Sequence, residues 1–125
     1  MPKTIHTPDS APAPVGPYSI ATEANGFVFL SGQVGVDPAT GAVADGVVAQ
    51  THQIMRNVTV ILDDLGLSFA DVAKTTIFLT DMGDFARVNE AYGQYVDAAK
   101  PARSTVAVAG LPRGVAVEIE MIAAR

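Results

Sequence analysis

The chain has 125 residues, of which 49% are hydrophobic and only 17% charged, with a formal net charge of −5. A chain of that length makes one domain, here spanning residues 1–125. The 13 acidic against 8 basic side chains, the basic ones scattered singly, make a poor footprint for nucleic acid. Cysteine is absent, which excludes disulfides, thiolate metal sites and a cysteine nucleophile and fits a cytoplasmic protein. No apolar run approaches the roughly 18 residues of a membrane-spanning helix, and Met1–His6 does not resemble a secretory signal. So apolar and weakly charged a chain predicts self-association, because a small domain cannot bury all its apolar surface.

Thr4–His6 reads as a marginal first strand. Ser10–Pro17 carries three prolines and a glycine, which exclude helix and favour an extended loop. Ile20–Ala24 and Phe27–Val34 are apolar runs around Asn25-Gly26, a pair that tolerates positive φ and predicts a tight hairpin. Asp37–Gly41 reads as a turn. Val47–Leu65 has apolar residues at steps of three and four, from Val47 through Ile54, Val58 and Leu62, and predicts the longest helix. Gln50, Gln53, Arg56, Asn57, Asp63 and Asp64 fall largely off that stripe, His52 sits on its more polar side, and Gly66 suits the left-handed position after the helix. Val72–Leu79 is β-branched and reads as a strand. Asp81 is placed to cap a second helix, whose buried stripe is Phe85, Val88, Tyr92, Tyr95 and Val96. Ser104–Val108 and Val115–Ala123 alternate as strands. The order predicts a two-layer α+β domain, a mixed sheet with two helices on one face and the other face bare.

Few residues offer chemistry. His6 and His52 are the only histidines and have no partners at metal-ligand spacing, so no metal site is expected. No nucleophile elbow and no phosphate loop is present. Arg103, in Lys100-Pro101-Ala102-Arg103-Ser104-Thr105, is either an ordinary surface residue or a guanidinium held by a stiff approach for a carboxylate. Glu118 and Glu120 share one face of the last strand and are either solvated or, for Glu118, placed to orient a water. Tyr18 is a core aromatic or a phenol aimed into a pocket. Asn89 interrupts the apolar stripe of the second helix and needs a hydrogen-bond partner if buried.

In order along the chain, Gly16-Pro17-Tyr18, Ser31-Gly32-Gln33, Asp37–Gly41, Lys74-Thr75-Thr76, Asp84-Phe85 through Val88-Asn89 and Tyr92, Pro101-Ala102-Arg103-Ser104, Val106, Leu111-Pro112 and Ile119-Glu120-Met121 resemble the RidA/YjgF/UK114 family, also called L-PSP endoribonuclease-like proteins. The resemblance implies a chorismate-mutase-like fold, a homotrimer with pockets between subunits, and a cofactor-free hydrolase. Its activity would be that of a 2-iminobutanoate/2-iminopropanoate deaminase, yielding 2-keto acids and ammonia. By the same resemblance Arg103 holds the substrate carboxylate, Glu118 positions the water, Tyr18 is the pocket tyrosine, and Ser31, Gly32, Asn89 and Thr105 line the site. Two residues depart from the family pattern: Thr105 stands where many members have cysteine, and Lys100 where an aromatic is frequent. The alternatives are a ribonuclease or translation inhibitor, and a non-enzymatic carboxylate-binding or chaperone-like module.

Overall fold

The computed structural model describes residues 2–125. Its strands are β1 (Thr4–His6), β2 (Ala21–Ala24), β3 (Phe27–Gln33), β4 (Val72–Leu79), β5 (Ala102–Ala107) and β6 (Val117–Ala124), with helices α1 (Val47–Asp64) and α2 (Phe85–Val96). They form one mixed sheet in the order β1-β2-β3-β6-β4-β5, in which β4 and β5 are parallel and every other pair antiparallel. The predicted hairpin forms on Asn25 and Gly26, both at positive φ, and the marginal first strand pairs with β2.

The last strand fills the centre, between β3 and β4, so β3 and β4 run parallel with β6 between them. Crossovers between parallel strands are right-handed. The two here, β3–α1–β4 and β4–α2–β5, step across the sheet in the same direction and therefore lay both helices on one face. That face is dry: Val28, Leu30, Ile77, Leu79, Val117, Ile119 and Met121 pack beneath Ile54, Met55, Val58, Ile61 and Leu62 of α1 and Val88 of α2. The opposite face carries Phe27, Phe29, Phe78, Ile122 and Val106 among Lys74, Thr76, Glu118 and Glu120. Phe27 and Phe29 are 46% and 42% exposed there, the bare apolar face expected from composition.

Two features of α1 and α2 depart from the sequence reading. Gln50 and Asn57 lie in the interior, because the β3–α1 loop folds back over the helix. The Asn57 amide donates to the Val36 carbonyl at 2.8 Å, and Gln50 donates to Ala44 and accepts from the Ala116 backbone at 2.9 Å. Asp81 caps a 3-10 turn at Met82–Asp84, accepting from the Gly83 N–H, and α2 starts one turn later. Gly66 takes the left-handed position after α1, and the Leu67 N–H closes on the Leu62 carbonyl.

Candidate functional site

Phe85, Asn89 and Tyr92 recur along α2 at steps of four and three, so one helix face presents all three. Arg103 on β5 meets that face. Its guanidinium carbon lies 5.5 Å from the ring centres of both Phe85 and Tyr92, and a terminal nitrogen donates to Asn89 Oδ1 at 2.5 Å. The Tyr92 hydroxyl hydrogen-bonds the Thr75 hydroxyl at 2.8 Å, and Thr75 is the cross-strand neighbour of Arg103. Burial pushes the Tyr92 phenol up, against the downward pull of the Thr75 hydrogen bond and the Arg103 charge. The ring is thus a neutral platform that fixes the cation without competing for its charge. A guanidinium has five N–H donors. With Asn89 holding one end, the rest of the fork faces an open cleft of 460 Å³ shared by Asn89, Tyr92, Lys100 and Arg103. The expected burial holds for Tyr92 but not for Phe85, which is 37% exposed because it opens α2 beside Arg103; the role of both rings behind the guanidinium was missed, and their spacing with Asn89 was the available signal.

The approach to Arg103 is stiff. Lys100 adopts φ 45 and its N–H closes on Val96 at the end of α2, after which Pro101 leads directly into β5. β5 is an edge strand whose only partner is β4. The Val108 N–H bonds the Leu79 carbonyl, so strand alternation turns the N–H of Arg103, Thr105 and Ala107 to the open edge. The Thr105 hydroxyl itself is sealed from solvent and has no hydrogen-bond partner. What Thr105 offers a ligand is therefore its backbone N–H. Replacing Thr105 by valine keeps the shape and removes an unsatisfied buried group. The expected gain is about 1 kcal/mol, a rise in Tm of roughly 4 °C, measurable by calorimetry.

Glu118 belongs to a second cluster. It pairs across from Phe78 and so points to the bare face, whereas Arg103 pairs with Thr75 on the helix side. Its carboxylate lies over Gly32: a Cβ on Gly32 would come within 2.0 Å of Glu118 Oε2. Ser31 donates to the Ser19 carbonyl at 2.6 Å, and its N–H bonds Ile20, which ties the Tyr18 loop to β3. Ser31 thus holds the loop and does not present a free proton. Tyr18 is half exposed and shares a 240 Å³ cavity with Gly32. Burial, then the neighbouring Glu120, pushes the Glu118 carboxyl up. A raised carboxyl pKa makes the ionised form unfavourable in the fold, so the penalty grows as pH rises through the folded pKa and is absent below the unfolded one. Glu118→Gln is accordingly expected to raise Tm at pH 8, with the gain disappearing at pH 4.

The structure therefore gathers the predicted residues into two clusters on opposite faces of one sheet. Arg103, Asn89 and the Thr105 N–H form one; Tyr18, Ser31, Gly32 and Glu118 form the other. Within one copy Arg103 and Glu118 stand on opposite sides of the sheet. The histidines stand outside both: His6 pairs with Glu23 and His52 with the Tyr95 hydroxyl, each at 2.9 Å. Among the described residues no group of three potential metal ligands occurs, and no helix is long and apolar enough to cross a membrane.

The family model for Endoribonuclease L-PSP matches residues 8–125. The chain belongs to the L-PSP endoribonuclease family. Its relatives in that family include Protein DfrA of Myxococcus xanthus, 52% identical over 97% of this chain and 94% of that one. The 2-iminobutanoate/2-iminopropanoate deaminase of Salmonella typhimurium is 48% identical over 100% of this chain and 99% of its own. The fold is shared with Escherichia coli TdcF with bound serine, at a TM-score of 0.91 and 42% identity over 98% of both chains. The YjgF gene product of E. coli gives a TM-score of 0.92 at 42% identity, again over 98% of both chains. L-PSP family proteins thus carry names of two kinds, nuclease and imine deaminase, and the deaminase relative spans the whole of this chain.

Proposed function

We propose that this protein hydrolyses reactive 2-imino acids, 2-iminobutanoate and 2-iminopropanoate among them, to 2-keto acids and ammonia. The observation that carries the reading is Arg103, a guanidinium clamped from behind by two rings and an amide with its remaining donors free. That is an arrangement for a small carboxylate. It agrees with the deaminase relative and with the amino acid bound to TdcF.

The two half-sites come together only between copies, so the reading includes a homotrimer packed through the bare sheet face. Arg103 and the Thr105 N–H of one subunit hold the substrate carboxylate. Glu118 of a neighbour holds a water against the C2 carbon, with Tyr18 closing the pocket. A protonated imine is already electrophilic, so position and proton transfer are what the protein must supply. The water oxygen bonds to C2 as its proton passes to Glu118. Glu118 then returns the proton to the nitrogen of the resulting carbinolamine, the C–N bond breaks as the carbon–oxygen double bond forms, and the hydroxyl proton leaves with the ammonia as ammonium, giving the keto acid. The raised Glu118 pKa suits a group that takes and returns a proton. The substrate is an anion and the chain carries a net charge of −5, so attraction must be local to Arg103.

The test generates 2-iminobutanoate in place from 2-aminobutanoate with an amino acid oxidase and traps surviving imine chemically. Catalytic amounts of the protein should abolish the trapped product and release ammonia. An unchanged trap signal would overturn the reading, and RNA cleavage proportional to protein concentration would favour the nuclease one.

A further inference from the structure

The cavity beside the Glu118 half-site is far larger than the reaction of a three- or four-carbon imine requires. It measures 240 Å³, and Tyr18 and Gly32 form the wall it shares with that half-site. Val15, Ile20, Val34, Val36 and Pro38 supply its aliphatic wall, and Gln33 lines it too. Val15 stands 89% exposed on this wall. Asp37 and Arg113 also line the cavity, with opposite charges, and the Arg113 guanidinium donates to the Gly41 carbonyl at 3.1 Å. Neither sign of charge is therefore favoured inside. A cavity of about 150 Å³ is already enough to hold a benzene-sized group. Gly32 is common to the two: it lies under the Glu118 carboxylate and also lines the cavity, so the cavity begins one residue from that carboxylate.

We propose that this cavity is the side-chain subsite and that the protein acts best on 2-imino acids with branched aliphatic or aromatic side chains. The inference rests on the deaminase reading and deepens it. Each methylene buried contributes about 0.8 kcal/mol, a factor of about four. Extending 2-iminopropanoate by three carbons to 2-imino-4-methylpentanoate should therefore raise kcat/KM by roughly fiftyfold, since the added atoms leave water only when bound.

The experiment compares imines generated from alanine, 2-aminobutanoate, norvaline, leucine and phenylalanine, for the wild type, Val34→Phe and Ala13→Trp, Ala13 also lining the cavity. Calorimetry with pyruvate and 4-methyl-2-oxopentanoate measures the same preference without turnover. The expected result is a steep rise with side-chain size in the wild type, flattened at least tenfold in whichever filled variant folds. A flat wild-type series in both turnover and binding would overturn the subsite while leaving the deaminase reading intact. Absence of turnover for every imine would instead defeat the deaminase reading, and the keto-acid affinities would still decide the subsite. A filled variant that folds but loses its native assembly would also overturn it, by showing that the cavity houses another copy of the chain.

Discussion

Arg103→Ala is expected to lower kcat/KM for 2-iminobutanoate by two to three orders of magnitude with little change in Tm. The guanidinium stands at the surface of each chain, so its removal opens no core cavity. What is lost is a charge-assisted, forked contact to a carboxylate, and truncating one partner of such a pair costs about 2–5 kcal/mol. Arg103→Lys should recover only a small part. An ammonium is a point charge and cannot bond Asn89, rest between Phe85 and Tyr92 and present two parallel donors at once. The opposite placement of Arg103 and Glu118 adds a sharper result. Arg103→Ala and Glu118→Gln proteins are each expected to keep no more than about a hundredth of the wild-type rate. Unfolded together and refolded as mixed trimers, they should regain roughly a quarter of the wild-type rate, because some sites draw an intact Arg103 and an intact Glu118 from different copies. No recovery on mixing, with mixed assembly verified by mass spectrometry, would mean that the two residues do not serve one site.

Gly32→Ala is the second large effect. The new methyl would stand 2.0 Å from Glu118 Oε2, with the carboxyl carbon only 2.8 Å away. The obstacle is the far end of a flexible side chain at the surface of the sheet, so the chain folds and the carboxylate moves. A displaced general base forfeits about 10²–10⁴ in rate, and a fall of at least a hundredfold is expected. The loss should not add to that of Glu118→Gln: the double variant should be no slower than Glu118→Gln alone, since both changes remove one function. Full additivity in a four-way kinetic comparison would show that Gly32 serves the site in another way.

Much of this was legible in the residues. Helical periodicity in Val47–Leu65, alternation in Val115–Ala123 and the Asn25-Gly26 turn are local signals, and those elements form within two residues of the expected bounds, α1 at Val47–Asp64 and β6 at Val117–Ala124. Gln50 and Asn57 were misjudged because a polar residue in a helix is ordinarily solvated. Only the returning loop at Val36 and Ala44 supplies the carbonyls that make their burial favourable. Thr105 was read by its side chain, yet the fold closes the hydroxyl off and turns the backbone N–H to the edge.

The sequence by itself determined the element order, the apolar excess that leaves one sheet face bare, and the identities of the arginine, glutamate and tyrosine that chemistry could use. Those follow from side-chain type and short-range spacing. The tertiary structure alone decided that β6 inserts between β3 and β4, which sets the parity of every cross-strand pair. That parity sends Arg103 to the helix side and Glu118 to the bare side. It also brings Gly32, from a strand far away in the chain, under the Glu118 carboxylate. Strand register is a long-range property, and a shift of one residue would exchange the faces. It is register that divides these residues between the two faces.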